Sequence, residues 1–417
     1  MKYLPIFYFI ILLLTSCRQS EDKQLNNDSQ FTIGQRDSVY SSLLNESRSL
    51  MIYHPPSLDT TLRYPVIYVL DGPSHFHSFT GMVEFLSKAY VIPKAIVVAI
   101  GNTKRMRDLT PTYMATDLWK GEPLPETGGG DKFLDFMNQE LFPHIEKKYH
   151  ATQHRTLIGH SLGGLLTIHA LIKRPELFTS YISIDPSLWW DNQHLLKEVD
   201  SVLKSQNYSG KSLFLGAANH GGKDAKIQDM ITNTSNYTLM SRSILEFTQY
   251  VEAHKSNGLR FEWRYYPNDE HYSSAFPTQY DGLRFTFNWH HLIFPQEFIM
   301  EPATSEGAIA LEELVTSHYK QISQHLGNEV LPYEQLMDSR GYQFQFEEKW
   351  AYAYVLLSMN IKNYPQSALA HEKMGDYYIA MFDTTKAIEF YTKAIGLNKN
   401  QQSTNLIERI KELKKGR

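Results

Sequence analysis

The sequence predicts an α/β protein built on a mostly parallel eight-stranded sheet, followed by a small all-α domain. Three observations carry that reading. Short β-rich runs recur from residue 31 to 266, and two of them, VIYVL at 66–70 and AIVVAI at 95–100, are continuously apolar, as strands covered on both faces are. Helical stretches such as 131–149 and 162–173 separate the later runs, which is the alternation of a parallel sheet. After Pro295 the texture changes, and residues 305–417 hold only Pro332 and Pro365 among many Ala, Leu, Glu, Lys and Tyr.

At 417 residues the chain exceeds the roughly 250–300 residues at which a single core stops growing, so two domains are expected. The N-terminus stands apart from both. Lys2, an apolar run from Ile6 to Leu14 and then Leu14-Thr15-Ser16-Cys17 read as a signal peptide over 1–17, because nine apolar residues are too few for the roughly 20 that a spanning helix needs. The stretch resembles a bacterial lipobox, which implies lipidation of Cys17, the only cysteine, and an exported, membrane-anchored protein. Residues 18–30 are polar and aperiodic, as a tether is. Strands are expected near 31–41, 46–54, 65–71, 95–100, 155–160, 180–184, 211–217 and 259–266, the first two antiparallel, in a domain covering 31–297.

In the helical domain, 305–417, His371, Met374, Gly375, Tyr378, Ala387, Tyr391 and Ala394 fall at the spacing of one 34-residue tetratricopeptide repeat. His371 and Lys399 depart from that pattern, and a degenerate neighbour around Trp350–Asn363 does not align. One repeat cannot bury its own face, so a small bundle that happens to contain the pattern is the plainer alternative. The domain could dock a protein partner, cover the site or only add stability. A net charge of -4 without a long basic run excludes a nucleic-acid footprint.

The sharpest motif is Gly159-His160-Ser161-Leu162-Gly163-Gly164, between a strand-like and a helix-like segment. That is the setting of a nucleophile elbow, in which Ser161 sits on a strained turn and the Leu162 N–H, at the start of a helix, faces a developing oxyanion. Serine needs a base, and His271, just past the final strand in Tyr266-Pro267-Asn268-Asp269-Glu270-His271, is the candidate.

With these motifs, residues 46–295 resemble the Putative esterase family of α/β-hydrolases, which includes esterase D, feruloyl and acetyl-xylan esterases and enterobactin-type siderophore esterases. The likeness runs through YVLDG at 68–72, RDLTP at 107–111, GHSLGG, SIDPSLWWD at 183–191 and DEHYSSAFPTQYDGLRFTF at 269–287. It implies the α/β-hydrolase fold, an acyl-enzyme mechanism without metal or cofactor, and His271 as the catalytic histidine, although Tyr272 stands where Gly is common. The substrate would be a small-molecule or glycan ester such as a siderophore lactone or a feruloyl-type ester. Rival readings are an esterase-derived scaffold and an acyltransferase.

The second oxyanion donor is expected in the loop after the third strand; Pro73 lacks an N–H, leaving Ser74 or His75. His75 and His77 have no further ligand beside them in sequence and make a poor metal site. The acid is expected after the seventh strand, where Asp224 is preferred over Asp229 and Glu246, and a Ser-His dyad is the alternative. Asp185, one strand earlier, reads as a loop brace. Trp189 and Trp190 are candidate pocket residues, and Arg107 a candidate binder of substrate carboxylate.

Overall fold

The computed structural model describes residues 32–55, 62–398 and 403–415. The chain divides into two compact units, Met1–Ile33 and Gly34–Arg417. The expected signal peptide, Cys17 and the tether lie outside the described residues, and everything below concerns the second unit. Among the described residues no helix is long and apolar enough to cross a membrane.

In chain order the first half holds β1 (Gln35–Ser41), β2 (Glu46–Tyr53), β3 (Tyr64–Val69), α1 (Gly72–Lys88), β4 (Ile96–Ile100), α2 (Arg105–Leu109), α3 (Gly130–Phe136) and α4 (Phe142–Lys148). Then come β5 (Ala151–His160), α5 (Leu162–Lys173), β6 (Ser180–Ile184), α6 (Trp190–Gln193), α7 (Leu196–Ser205), β7 (Ser212–Ala218), α8 (Ile227–Thr232), α9 (Leu239–Ala253), β8 (Arg260–Tyr266) and α10 (Ala275–Thr286). The strands form one sheet in the order β1-β2-β4-β3-β5-β6-β7-β8. β1 and β2 pair antiparallel, as does β2 with β4, and every later pair is parallel. This is the predicted α/β-hydrolase arrangement.

The strand periodicity explains how the sheet is held. Val66, Tyr68 and Leu70 join one core with Ile96, Val98 and Leu157, whereas the alternating Ile67 and Val69 join a second core with Val97, Ala99 and Ile158. Successive side chains point to opposite faces, so a run apolar at every position feeds both layers. Each buried Val, Ile or Leu contributes about 1.5–3 kcal/mol relative to exposure. On the second face α1 packs through Phe76, Phe79, Val83 and Leu86, at helical spacing. α5 is buried from Leu162 to Ile172, a helix enclosed on all sides.

β5 begins at Ala151, four residues before its expected start. Its first turn of chain pairs with Tyr64 across an irregularity between Tyr64 and Val66, where polar Thr152, Gln153 and His154 hide the strand from an apolar pattern search.

The helical region consists of α11 (Gln296–Met300), α12 (Ser305–Leu326), α13 (Glu334–Phe346), α14 (Trp350–Asn363), α15 (Ala368–Ala380), α16 (Thr384–Leu397) and α17 (Ser403–Lys415). α13 and α14 begin at 334 and 350, and α15 and α16 at 368 and 384, an offset of 34 for both helices of the hairpin. The two hairpins also match in length, 13 and 14 residues. The hairpin ahead of the sequence-detected one therefore repeats its geometry. Gly341 and Gly375 occupy the same place in each, and a β-carbon there would meet the Leu357 side chain at 3.1 Å or the Tyr391 ring at 2.5 Å. Arg340 and Asn360, standing where the second hairpin has Met374 and Ala394, hide the earlier one in sequence.

This region packs on the end of the sheet away from the C-terminal strand ends. Leu292, Phe294 and Phe298 enter a core with Leu311, Val315, Tyr319 and Met337. Trp289 stacks on His325 at 4.3 Å, and His318 Nε2 donates to the His290 carbonyl at 3.0 Å. The end of α12 and the start of β5 line a common cavity through His154, His325 and Leu326.

Gly375→Val is expected to lower stability by about 1–3 kcal/mol through overpacking against Tyr391. Gly81→Ala in α1, where nothing lies within 4 Å, is expected to raise it by about 0.5–1 kcal/mol. Thermal unfolding of both variants checks the pair.

Candidate active site

Ser161 sits between β5 and α5 at φ 61°, ψ −116°, outside the regions open to most side chains. The turn closes because Gly159 has no β-carbon: one there would lie 2.2 Å from the Gly163 carbonyl oxygen. Gly163 is less constrained than the motif suggests, since its added β-carbon would meet nothing closer than 3.4 Å. The next glycine is tighter, at 3.0 Å from the Ile184 carbonyl and Pro186. Backbone bonds brace the strained residue: the Ser161 N–H donates to the Ile184 carbonyl at 2.9 Å, and its carbonyl accepts from Leu165 at 2.9 Å and Ser187 at 3.1 Å. The Ser161 hydroxyl lies 3.2 Å from Ser187 Oγ, so in this geometry its side-chain partner is a second hydroxyl.

His271 follows β8 and is brought to the same end of the sheet. Its Nδ1 lies 2.5 Å from Asp185 Oδ2. Asp185 is fully buried at the end of β6, takes the Ala218 amide on Oδ1 at 2.9 Å, and holds a second imidazole, His220 Nε2, on Oδ2 at 2.8 Å. Burial alone would push this carboxyl up, but the hydrogen bonds from His220, His271 and Ala218 hold it well below the usual carboxylate range. An ionised carboxylate only accepts, so His271 carries a proton on Nδ1, and Nε2 is the ring nitrogen that faces away from Asp185.

The Asp224 expectation is therefore corrected. Asp224 is exposed, in a loop after β7, whereas the carboxylate that meets His271 comes from β6. β6 lies directly beside the strand that carries Ser161, and Asp185 adopts φ 40°, a conformation Asp tolerates, which turns its side chain across the strand ends. Asp229 caps α8, and Glu246 accepts from Gln193 and Tyr250. Asn219, at the end of β7, ties down the His271 loop instead: its backbone N–H donates to the Asp269 carbonyl at 2.8 Å and its side-chain Nδ2 to the Pro267 carbonyl at 2.9 Å.

His160, beside the serine, fixes the other side of this loop. Its Nε2 donates to the His271 carbonyl at 2.8 Å, and the two rings are 4.5 Å apart. Burial, with the neighbouring His271, pushes the His160 imidazole down to about 4.

A cleft of about 230 Å³ opens at Ser161 and is lined by Leu162, Ser187, Trp189, Trp190, Trp119 and Arg105, among others. Trp189 and Trp190 thus line the cleft. Trp119, which no sequence pattern singled out, packs edge-on to Trp189 at 4.2 Å. It is presented by a tight turn in which the Asp117 carboxylate accepts from the Trp119 and Lys120 amides at 2.9 and 2.7 Å.

Arg107 is corrected. Its guanidinium is spent on Glu46 and Asp108, both at 2.7 Å, in a network that also contains buried Arg48. The arginine at the cleft is Arg105, clamped by both oxygens of Asp71 at 2.7 and 2.8 Å. Two residues decide this: α2 turns about 200° between them, so alternate positions face opposite ways.

Of the oxyanion candidates, Leu162 opens α5 at the cleft, where its N–H has no intrahelical acceptor. Ser74 is exposed and its N–H already donates to the Asp71 carbonyl at 3.0 Å, which removes it as a free donor. His75 is partly buried, its ring 6.0 Å from that of His160, and burial lowers its pKa.

Among the described residues, Asp185, His220 and His271 form the one group of potential metal ligands, with atoms within 4.8 Å of each other. Their N–O separations of 2.5 and 2.8 Å are those of hydrogen bonds. Tetrahedral zinc with bonds near 2.1 Å spaces its ligands by about 3.4 Å. His77 is exposed and outside this group.

A model of the family described as Putative esterase matches residues 41–272. The ferri-bacillibactin esterase BesA of Bacillus subtilis is 34% identical over 197 residues, covering 42% of this chain and 68% of that protein. The siderophore triacetylfusarinine C esterase of Aspergillus fumigatus is 31% identical over 157 residues, 35% of this chain, and the chain spans only about half of that relative, 51%. An IroE-like serine hydrolase from Shewanella oneidensis superposes with a TM-score of 0.63 at 29% identity, covering 78% of this chain and 98% of its own.

Because native His160 ionises only near pH 4 against 6.5 for the ordinary group, the stability it contributes is complete above pH 6.5 and is lost as pH falls through 4. The span corresponds to about 3 kcal/mol. Urea unfolding midpoints measured from pH 7 to 4 should fall less steeply in His160→Gln than in the parent.

Proposed function

Because the chain belongs to the Putative esterase family, we propose that it is a serine ester hydrolase in which Ser161 attacks, His271 is the base and Asp185 orients it. The observation that carries this reading is the 2.5 Å contact between His271 Nδ1 and buried Asp185, formed at the strand ends that also present the strained Ser161. His271 Nε2 would take the hydroxyl proton as Ser161 Oγ adds to the ester carbonyl, and then hand it to the departing alkoxide. The Leu162 N–H would hold the oxyanion. Water would repeat the sequence on the acyl-enzyme and release the acid. His271 has to engage the Ser161 hydroxyl in place of Ser187, a tightening that catalytic hydrogen bonds commonly undergo on substrate binding.

For substrate we propose a siderophore-type ester, by analogy with the relatives named for ferri-bacillibactin and triacetylfusarinine C. The cleft of about 230 Å³ is smaller than the roughly 300–1,000 Å³ of a site for a whole drug-sized ligand, which favours binding of one acyl arm with the rest outside. Trp119 and Trp189 supply flat apolar surface for that arm. We further propose that Cys17 carries a lipid that anchors the enzyme to the cell envelope, from the Leu14-Thr15-Ser16-Cys17 sequence. The two hairpins offset by 34 residues support a tetratricopeptide-type region suited to a protein partner.

Hydrolysis of p-nitrophenyl butyrate by the chain lacking residues 1–17 should vanish in Ser161→Ala. Asp185→Asn should lower kcat by about 10²–10⁴-fold, whereas Asp224→Asn should leave it within twofold. Parental rates in Ser161→Ala would end the esterase reading, and a loss in Asp224→Asn without one in Asp185→Asn would reassign the acid. Radiolabelled palmitate should mark the full chain in a bacterial host and not Cys17→Ser.

A further inference from the structure

His220 has no place in the mechanism above, yet it reaches the same carboxylate oxygen as His271. Its Nε2 lies 2.8 Å from Asp185 Oδ2, against 2.5 Å for His271 Nδ1, while Oδ1 takes the Ala218 amide. One carboxylate oxygen, with no exposure to solvent, therefore serves two imidazoles. The two rings are 5.9 Å apart and tilted by 46°, so each approaches Oδ2 along its own direction. His220 stands two residues beyond β7, the strand end at which the acid was expected, and from there it points back to the carboxylate supplied by β6.

We infer that His220 is a positioning residue for the proposed reaction: by donating to Asp185 Oδ2 it keeps that carboxylate ionised and aligned, so that His271 retains its Nδ1 proton and a bare Nε2. The inference rests on the triad reading of Ser161, His271 and Asp185. Its physical basis is the number of donors. An ionised carboxylate offers about four acceptor lone pairs, so two N–H donors leave two of them facing protein when it is buried, and a third donor disfavours protonation of the acid. If Asp185 took a proton on Oδ2, its O–H could donate to Nδ1, and the imidazole would be free to adopt the opposite tautomer. The second donor also draws charge from Oδ2, which moderates the attraction that His271 feels when it becomes an imidazolium.

The loops around the pair are already tied, so His220 is not needed to hold them. Asn219 joins the loop after β7 to that after β8, and His160 and Ser274 hold the His271 carbonyl at 2.8 and 3.0 Å. The other titratable groups nearby are His160 on β5, Asp269, Glu270 and Tyr272 beside His271, and Lys223 and Asp224 in the loop that carries His220. All of them are retained in the variants below.

The test compares the parent with His220→Phe and His220→Gln, each checked for folding by circular dichroism, using p-nitrophenyl butyrate and histidine nitrogen NMR. His220→Phe is expected to lose about tenfold in kcat with KM within twofold, and to move the acid limb of kcat/KM to higher pH, since both Asp185 and His271 hold protons more tightly once the donor is gone. Its spectrum should show a changed His271 Nδ1 resonance. His220→Gln, which keeps an N–H, should recover most of kcat and the parental limb. An unmoved limb and unchanged Nδ1 resonance in His220→Phe would overturn the inference, as would a glutamine variant no better than phenylalanine. If Ser161→Ala shows that the parent is no esterase, the nitrogen spectra still decide whether His220 holds the Asp185–His271 pair.

Discussion

The cleft depends on one backbone constraint, the turn that joins β5 to α5. Ser161 occupies a conformation that costs about 1–3 kcal/mol, and it stays there because neighbours on three sides over-determine it. Gly159 lets the turn pass against the Gly163 carbonyl, β6 supplies the Ile184 acceptor, and Ser187 donates to the Ser161 carbonyl. α5, enclosed along its length, cannot relax away from the sheet. The strain aims the hydroxyl into the cleft and sets the Leu162 amide beside it.

The second layer is polar and equally buried. Asp185 collects donors from three elements, the Ala218 amide at the end of β7, His220 just beyond it and His271 after β8, so the loops at the C-terminal strand ends converge on one carboxylate. Such a group is costly to bury unless fully partnered, and here its partners are the groups the proposed chemistry needs. The helical region packs at the other end of the strands, through Trp289, His290 and the start of β5. Among the described residues, none from this region lines the cleft at Ser161.

The errors of sequence reading have a common form. Asp224 was preferred because strand counting places the acid after β7, whereas the carboxylate that meets His271 is that of Asp185, through the adjacency of β5, β6 and β7 in the sheet and a left-handed turn at Asp185, neither of which spacing encodes. Arg107 and Arg105 differ by two positions on a one-and-a-half-turn helix, so choosing between them needed the direction of α2. Trp119 belongs to a loop without periodicity and reaches Trp189 only across the cleft. The hairpin α13–α14 was sensed only around Trp350–Asn363 and could not be aligned, because Arg340 and Asn360 replace apolar and small residues, although Gly341 kept the close helix crossing.

What the sequence determined by itself was local. Periodicity set the strands and helices, because burial on one or both faces leaves a direct record in residue spacing. The glycines around Ser161 announced the elbow, because only a residue without a β-carbon passes such a turn. The position of His271 beyond the last strand was legible as well. The carboxylate that meets His271, the Nδ1 proton of His271, the shared use of Asp185 by His220, and the contact of Trp119 with Trp189 were decided by tertiary structure alone. Each is a contact between residues 35 to 86 positions apart or a proton placed by such a contact, and that information lies in strand order and side-chain direction, not in the residue order of any one segment.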